Sequence, residues 1–561
     1  MSQNEPLGAG EPPEHTVIAY HERTKHHFNR YAASLGYMDW ATQPNPFRRF
    51  AGADLFPLPL PEPGDPVSYD AVFSEPELPR RPLTIATLSR FLRYALSITA
   101  WKSTGANAWA LRANPSSGNL HPTEGYAVLP ALDGLASSAA IYHYAVRAHA
   151  LECRGRLEDS ARAALFDRLP ADTFLVGLSS IHWREAWKYG ERAFRYCQHD
   201  VGHALAGLRI AAAAMGWQLT LLPHVLSSRV ASTLGLDRDG DFAGAEREEP
   251  DLLAIVTTQP GAASFDAWMP PLWGDAVHWT GYANALSAAH GVDWQVIEEV
   301  ARATTQAETR DHRDGREGLL AERFVIALAE TPRPGTLEHV VLTRRSAVSM
   351  DGITRMSLPT FCLMLSRVLP TADGGAVPWD ALPWRPRIHL LLFVHRVDGL
   401  QPGLYILLRD GSRREALRAA MRDDFQWEPV AAAPAGLPLL LLAAGDCRGL
   451  AARVSCGQAI AGDGTFSVGM LADFTESLAR DGAAFYRNLF WECGMIGQVL
   501  YLEAEAAGLR GTGIGCFFDD AVREVCGMTN SDWQSLYHFT VGGAIEDTRL
   551  TTLPAYPTEA E

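Results

Sequence analysis

The chain lacks any run approaching the roughly 20 apolar residues that a membrane-spanning helix needs. Its longest apolar stretches, 388–394 and 437–444, have the length of strands. It has no Cys-x-x-Cys pair. The eight cysteines (153, 197, 362, 447, 456, 493, 516 and 526) are scattered, which excludes a zinc site of the usual spacing and a disulfide framework. That usage suits a reducing cytoplasm. Positive charge is in deficit, with 49 Lys and Arg against 65 Asp and Glu and a formal net charge of −16. A nucleic-acid binder that works by neutralising phosphates needs the opposite balance. No G-x-G-x-x-G opens a helix directly after a strand, so a Rossmann nicotinamide site has no support. The N-terminus, MSQNEPLGAGEPPEHT, is too polar and acidic for a secretory signal.

What is present is a chain of 561 residues, 47 % apolar and 20 % charged. That composition builds more than one core and is far from that of a disordered chain. The length predicts two to four domains. Residues 1–20 read as a flexible tail, 21–260 as one unit, 261–320 as a connector with helices and 321–561 as a second unit. Two features mark the cut: a Pro/Gly/Trp-rich stretch over 259–274 and the charged run TRDHRDGREG at 309–318.

The two units share a plan. FRYCQHDVG (194–202) and YRNLFWECG (486–494) align without gaps at an offset of 292, which pairs Arg195 with Arg487, Asp200 with Glu492, Gly202 with Gly494 and Gly216 with Gly508. Each segment predicts a long helix ending in Gly, the residue favoured just past a helix C-terminus. Strand patterns flank both copies, and the strands do not alternate strictly with helices. The fold class is therefore α+β.

Four segments could carry chemistry. RANPSSGNLHPTE (112–124) is a turn-rich loop exposing backbone N–H groups and small hydroxyls. LRGTGIGCF (509–517) alternates three glycines, poor strand and helix formers, and reads as a turn closely approached by something flat or anionic. HERTK (21–25) and TRRS (343–346) are basic clusters near the start of each half, and an Arg fork with a hydroxyl suits a phosphate monoester. Lys188-Tyr189 can exchange a proton if burial tunes them, and the other half has Arg480-Asp481 at the matching place. His199 and His203 stand one turn apart beside Asp200. No third ligand has recognisable spacing, so these read as structural and no metal site is expected. Glu503 and Glu505 read as surface residues.

Together these segments, with KYGERAFRYCQHDVGH (188–203), VDGLQPGLY (397–405) and YLEAEAAGLRGTGIGCFFDD (501–520), resemble the SagB/ThcOx-type flavin dehydrogenases of the nitroreductase superfamily. The resemblance covers most of the chain, in a form with two tandem units. It implies a nitroreductase-like fold in which the family's dimer becomes an internal pseudo-dimer, with FMN at the interface between halves. It further implies that Arg344, Arg345, Ser346, Gly511, Thr512, Gly513 and Ile514 from the second half bind the cofactor. Arg112, Pro115, Ser116, Ser117, Gly118 and Asn119 from the first half complete that pocket. The mirror pocket would use Arg23, Thr24 and Lys25, the 217–223 turn and the loop at 370–375. Those segments depart from the pattern, so one FMN per chain is expected. Lys188 and Tyr189 match the catalytic pair of the family's azoline dehydrogenases. The implied activity is oxidation of an azoline-like or other peptide-derived substrate by hydride transfer to flavin, with peptide-modifying enzymes as partners. Two alternatives stand beside it: an NAD(P)H-dependent nitro- or quinone-reductase, and a non-catalytic flavoprotein scaffold of a peptide-modifying complex.

Overall fold

The computed structural model describes residues 12–556 apart from 75–77, 260–264, 267, 310–314, 316–318 and 321–334. Residues 1–11 of the expected tail and most of the 309–318 run lie outside the described residues.

In the first half, helix α1 (Pro13–Arg23) buries Val17 and Tyr20, so residues 13–20 are part of the folded unit rather than a tail. Helix α2 (Ile85–Ala95) starts at Thr84, whose hydroxyl accepts from the Thr87 amide while the Thr87 hydroxyl accepts from the Thr84 amide. This reciprocal cap satisfies two donors that a helix start leaves over. Helices α3 (His182–Tyr189) and α4 (Ala193–Ala214) follow in sequence. The strands are β1 (Asp54–Pro57), β2 (Ile98–Ser103), β3 (Ala108–Arg112), β4 (Thr123–Leu129), β5 (Ala140–Ala145), β6 (Ala150–Leu157), β7 (Phe174–Ser180), β8 (Gln218–Leu221), β9 (Glu249–Thr257) and β10 (Val277–Trp279). Seven of them form the order β10-β6-β5-β4-β7-β9-β8, with β1 also paired to β6. Strand β10 falls within the expected connector, yet it extends the first sheet.

The second half repeats this with α5 (Leu337–Thr343), α6 (Leu358–Arg367), α7 (Arg448–Val454), α8 (Phe474–Asp481) and α9 (Phe485–Ala506). Its strands are β11 (Ile388–Val394), β12 (Gly403–Leu407), β13 (Glu428–Pro429), β14 (Leu439–Ala444), β15 (Phe466–Asp473), β16 (Arg510–Ile514) and β17 (Trp533–Gly542). They run β13-β14-β12-β11-β15-β17-β16, the first sheet's order strand for strand once β14 is set against β6 and β16 against β8. A last strand, β18 (Thr551–Leu553), leaves the second half to pair with β2 of the first.

The offset of 292 holds for whole elements: α3 and α8, α4 and α9, and the starts of β7 and β15 all obey it. Helices α4 and α9 pack on each other at its centre. A Cβ on Gly202 would collide with the carbonyl oxygen of Trp491, and one on Gly494 with that of His199. Residues 199 and 491 are themselves 292 apart, so the two contacts are images of one another across a pseudo-twofold axis. Only glycine permits backbones this close. No helix among the described residues is long and apolar enough to cross a membrane.

Candidate functional site between the two halves

The second half's basic segment follows α5 and reaches the first half directly. Arg344 donates from Nη2 to the carbonyl oxygen of Arg112 (2.9 Å), and Arg345 Nη1 lies 3.3 Å from Thr99 Oγ1. Ser346 pairs in parallel with Gly511 at the free edge of β16, and the Ala347 amide donates to the Gly511 carbonyl (3.1 Å). Thr512 Oγ1 donates to the Ala347 carbonyl (2.6 Å), and Ser346 Oγ to Tyr501 Oη (3.1 Å). The structure thus gathers Arg112, Arg344, Arg345, Ser346, Gly511 and Thr512 in one place.

Arg112 and Arg344 are buried, and none of the three arginines forms an ion pair with a carboxylate among the described residues. Arg344 Nε and Nη1 and Arg112 Nε have no hydrogen-bond partner among the described residues. Burial pulls the Arg344 guanidinium below its ordinary value, and it brings Arg112 and Arg345 down to about 10. A desolvated cation with unspent donors is costly unless an anion meets it.

The loop 115–119 lies beside these groups. Pro115 is buried; Ser116 Oγ accepts from the His121 amide (2.8 Å), and Asn119 Nδ2 donates to the Ala110 carbonyl (2.8 Å). Ser116 and Asn119 therefore brace the loop. Ser117 opens a single turn that includes Gly118 at φ +61°. A Cβ on Gly118 would stand 2.7 Å from Tyr189 Oη and 3.0 Å from Lys188 Nζ, so the end of α3 faces the loop.

Two acids complete this wall. Glu185 Oε1 lies 3.5 Å from Ser116 Oγ, and Asp200 approaches the Ser116 side chain and the Ser117 backbone. Glu185 Oε2 and Asp200 Oδ2 are buried without hydrogen-bond partners among the described residues. Burial and then the charge of Asp200 raise Glu185 well above the usual carboxylate range, and burial raises Asp200 likewise. Burial and Glu185 also push the Tyr189 phenol up, so it stays protonated. The Tyr189 ring leans on Tyr196 (centroids 4.5 Å apart), whose hydroxyl donates to the Gly515 carbonyl (3.1 Å).

Several expectations need correction. The glycine-rich segment is not a turn but the edge strand β16, paired with β17. Its period-two glycines lie on one face of the pleat. A Cβ on Gly511 would sit 2.7 Å from the Phe539 ring, and one on Gly513 would collide with the Tyr537 hydroxyl. Packing under aromatic rings here overrides glycine's poor strand propensity. Ile514 points to the opposite face, into a core with Phe518 and Val522, so only its backbone is available to a ligand. Glu503 is fully buried and accepts from Tyr69 Oη (2.9 Å), and Glu505 is bound by Thr343 and Arg510, so neither is a free surface residue. His199 Nε2 lies 3.1 Å from the Leu536 carbonyl and His203 Nε2 3.2 Å from Tyr537 Oη.

Sequence reasoning missed Glu185, Tyr196, Tyr501 and Tyr537 as site residues, and passed over Asp200. Comparing the copies at offset 292 would have flagged most of them. Tyr196 stands opposite Asn488, Tyr501 opposite Arg209 and Glu185 opposite Ser477.

The mirror position differs in charge. Arg23 is held by Glu191 through two contacts of 3.1 Å from Nε, and Lys25 Nζ by Glu22 (2.8 Å) and Asp520 (3.0 Å). The basic cluster of the first half is already neutralised. Trp491 occupies the place of His199 and donates to Gln198 Oε1 (2.7 Å).

The nitroreductase family model matches residues 80–245 and 398–543, together more than half of the chain. The chain belongs to the nitroreductase family and carries its unit twice. It is 32 % identical over 167 residues to the trifolitoxin-processing protein TfxB of Rhizobium leguminosarum bv. trifolii. That match covers 28 % of this chain and spans only 44 % of the relative's length. A crystal structure described as a nitroreductase of Anabaena variabilis superposes with a TM-score of 0.67 at 21 % identity, over 94 % of this chain and 99 % of its own. That near-complete overlap is a likeness of fold. The Escherichia coli microcin synthetase McbBCD complex with truncated pro-MccB17 bound is more distant, at 16 % identity and a TM-score of 0.28 over 46 % of this chain and 84 % of its own.

Proposed function

We propose that this protein is an FMN-dependent dehydrogenase of the SagB/ThcOx kind, acting in the cytoplasm on an azoline-like or other peptide-derived substrate. The observation that carries the reading is the buried pair Arg112 and Arg344, with unspent donors, beside the half-buried Arg345, none of them ion-paired with a carboxylate among the described residues. A phosphate monoester satisfies such donors in pairs. Ser346, Thr512 and the 115–119 loop lie beside these donors, and the glycines at 118, 511 and 513 let Tyr189, Phe539 and Tyr537 pack close around them. These residues fit FMN, which when bound supplies the hydride-accepting ring.

The protein's own groups handle the proton. Lys188 Nζ takes it from the substrate carbon, and the protonated Tyr189 phenol donates a hydrogen bond that orients the substrate or the lysine. Glu185 and Asp200 hold protons close behind Ser116. The likeness to a toxin-processing protein supports a precursor substrate and peptide-modifying partner enzymes. The test is an absorbance spectrum of protein purified with added FMN. Arg344→Ala combined with Arg345→Ala is expected to lose the flavin bands while keeping its far-ultraviolet circular dichroism. A colourless wild-type protein would overturn the cofactor assignment. Rapid anaerobic bleaching by NADPH would instead favour the reductase.

A further inference from the structure

Cys456 follows α7, and Cys516 follows β16 immediately after Gly515. Their sulfurs lie 2.9 Å apart across 60 residues of sequence. Both are partly exposed, whereas the other six cysteines are buried. The backbone on either side fixes the approach: the Phe518 amide donates to the Val454 carbonyl (2.9 Å), and Gln458 Nε2 to the Cys516 carbonyl (2.8 Å). His26 and Tyr31, from the segment after α1, and Arg192, from the start of α4, face the pair, with Asp519 behind them. No part of the proposed reaction uses these thiols.

The two sulfurs are not equivalent. The hydrogen bond shared with Cys456 outweighs burial, and His26 and Arg192 assist it, so the Cys516 thiol is brought down to about 5. The same hydrogen bond and burial push Cys456 up. An accessible thiolate beside a protonated thiol has the makings of an oxidisable pair, because the thiolate is the nucleophile and its neighbour can resolve the product.

We propose that Cys516 and Cys456 form a dithiol that hydroperoxides oxidise to a disulfide. The Cys516 thiolate attacks the terminal peroxide oxygen. An S–O bond forms and the O–O bond breaks, giving Cys516 sulfenic acid and an alkoxide or hydroxide that takes up a proton. The Cys456 sulfur then displaces the sulfenic hydroxyl, which leaves as water, and the S–S bond forms. In sum, two thiols and one hydroperoxide give one disulfide, one alcohol or water from the peroxide, and one further water. The crosslink ties the segment after α7 to the residue adjoining Gly515, whose carbonyl is held by Tyr196.

The test uses the full chain with hydrogen peroxide and no substrate, so it is independent of the proposed activity. Two of the eight thiols should be lost, a Cys456–Cys516 crosslinked peptide should appear on proteolysis, and dithiothreitol should restore both. Cys456→Ser should stop at a sulfenic acid on Cys516 that dimedone traps. Cys516→Ser should leave Cys456 oxidised at least ~10-fold more slowly. Alkylation of Cys516 should persist as pH falls to about 5 and fail below it. Equal oxidation rates for the two single variants, or peroxide treatment that yields no crosslink between these positions, would overturn the proposal.

Discussion

Lys188 and Tyr189 sit at the end of α3, over a glycine whose missing side chain leaves them room. The residues at offset 292, Arg480 and Asp481, pair with each other instead (3.0 Å) and cannot exchange a proton with a ligand in the same way. Replacing Lys188 by Ala is expected to lower turnover by ~10²–10⁴ while leaving bound flavin unchanged. Single-turnover kinetics alongside the absorbance spectrum measure both, and flavin loss in step with activity would contradict the assignment. At this scale the sequence disclosed residues with distinctive chemistry: paired arginines, a Lys-Tyr dipeptide, a Ser-Ser-Gly turn. It did not disclose those that matter through their company. Glu185 and Asp200 are among these; what raises them is burial, with the charge of Asp200 added for Glu185, and that burial exists only once α3, α4 and the loop are assembled.

Among the elements, three adjacent strands share a charge ladder. His143 on β5 lies 3.0 Å from Glu124 on β4 and 2.9 Å from Glu152 on β6, all buried. Burial alone would discharge the imidazole, but hydrogen bonds to the two carboxylates more than offset this and raise it from 6.5 to about 9. The folded protein therefore binds this proton more tightly than the unfolded chain does. Its stabilisation is complete below pH 6.5 and is lost as pH climbs through about 9. A shift of this size corresponds to roughly 3 kcal/mol. Denaturant titrations should find His143→Gln destabilised at pH 6, with the gap to wild type narrowing by pH 10; a gap constant with pH would refute the ladder's role. The long helices α4 and α9 were legible in the sequence from the internal repeat and from the glycine that follows each. Strand β16 was not, because local propensity votes against glycine in a strand and only the rings of Tyr537 and Phe539 explain it.

At the scale of the molecule, the duplication was legible and its boundaries were not. Strand β10 comes from the expected connector, and β18 crosses from the second half to β2 of the first, because sheet edges recruit whatever chain lies near them. The two interhalf clefts differ in charge. One keeps Arg344 and Arg345 without carboxylate partners among the described residues, while the other ties Arg23 to Glu191 and Lys25 to Glu22 and Asp520. We therefore expect one FMN per chain from quantitative absorbance at flavin and protein wavelengths. A ratio near two would mean that the neutralised cleft still accepts a phosphate.

The glycine crossing at 202 and 494 has an evolutionary corollary. In a homodimer a single substitution changes both lobes at once. Here position 491 carries Trp while position 199 keeps His. Joining the lobes in a single reading frame, around a contact that demands glycine on each side, lets equivalent positions of the two lobes carry different residues.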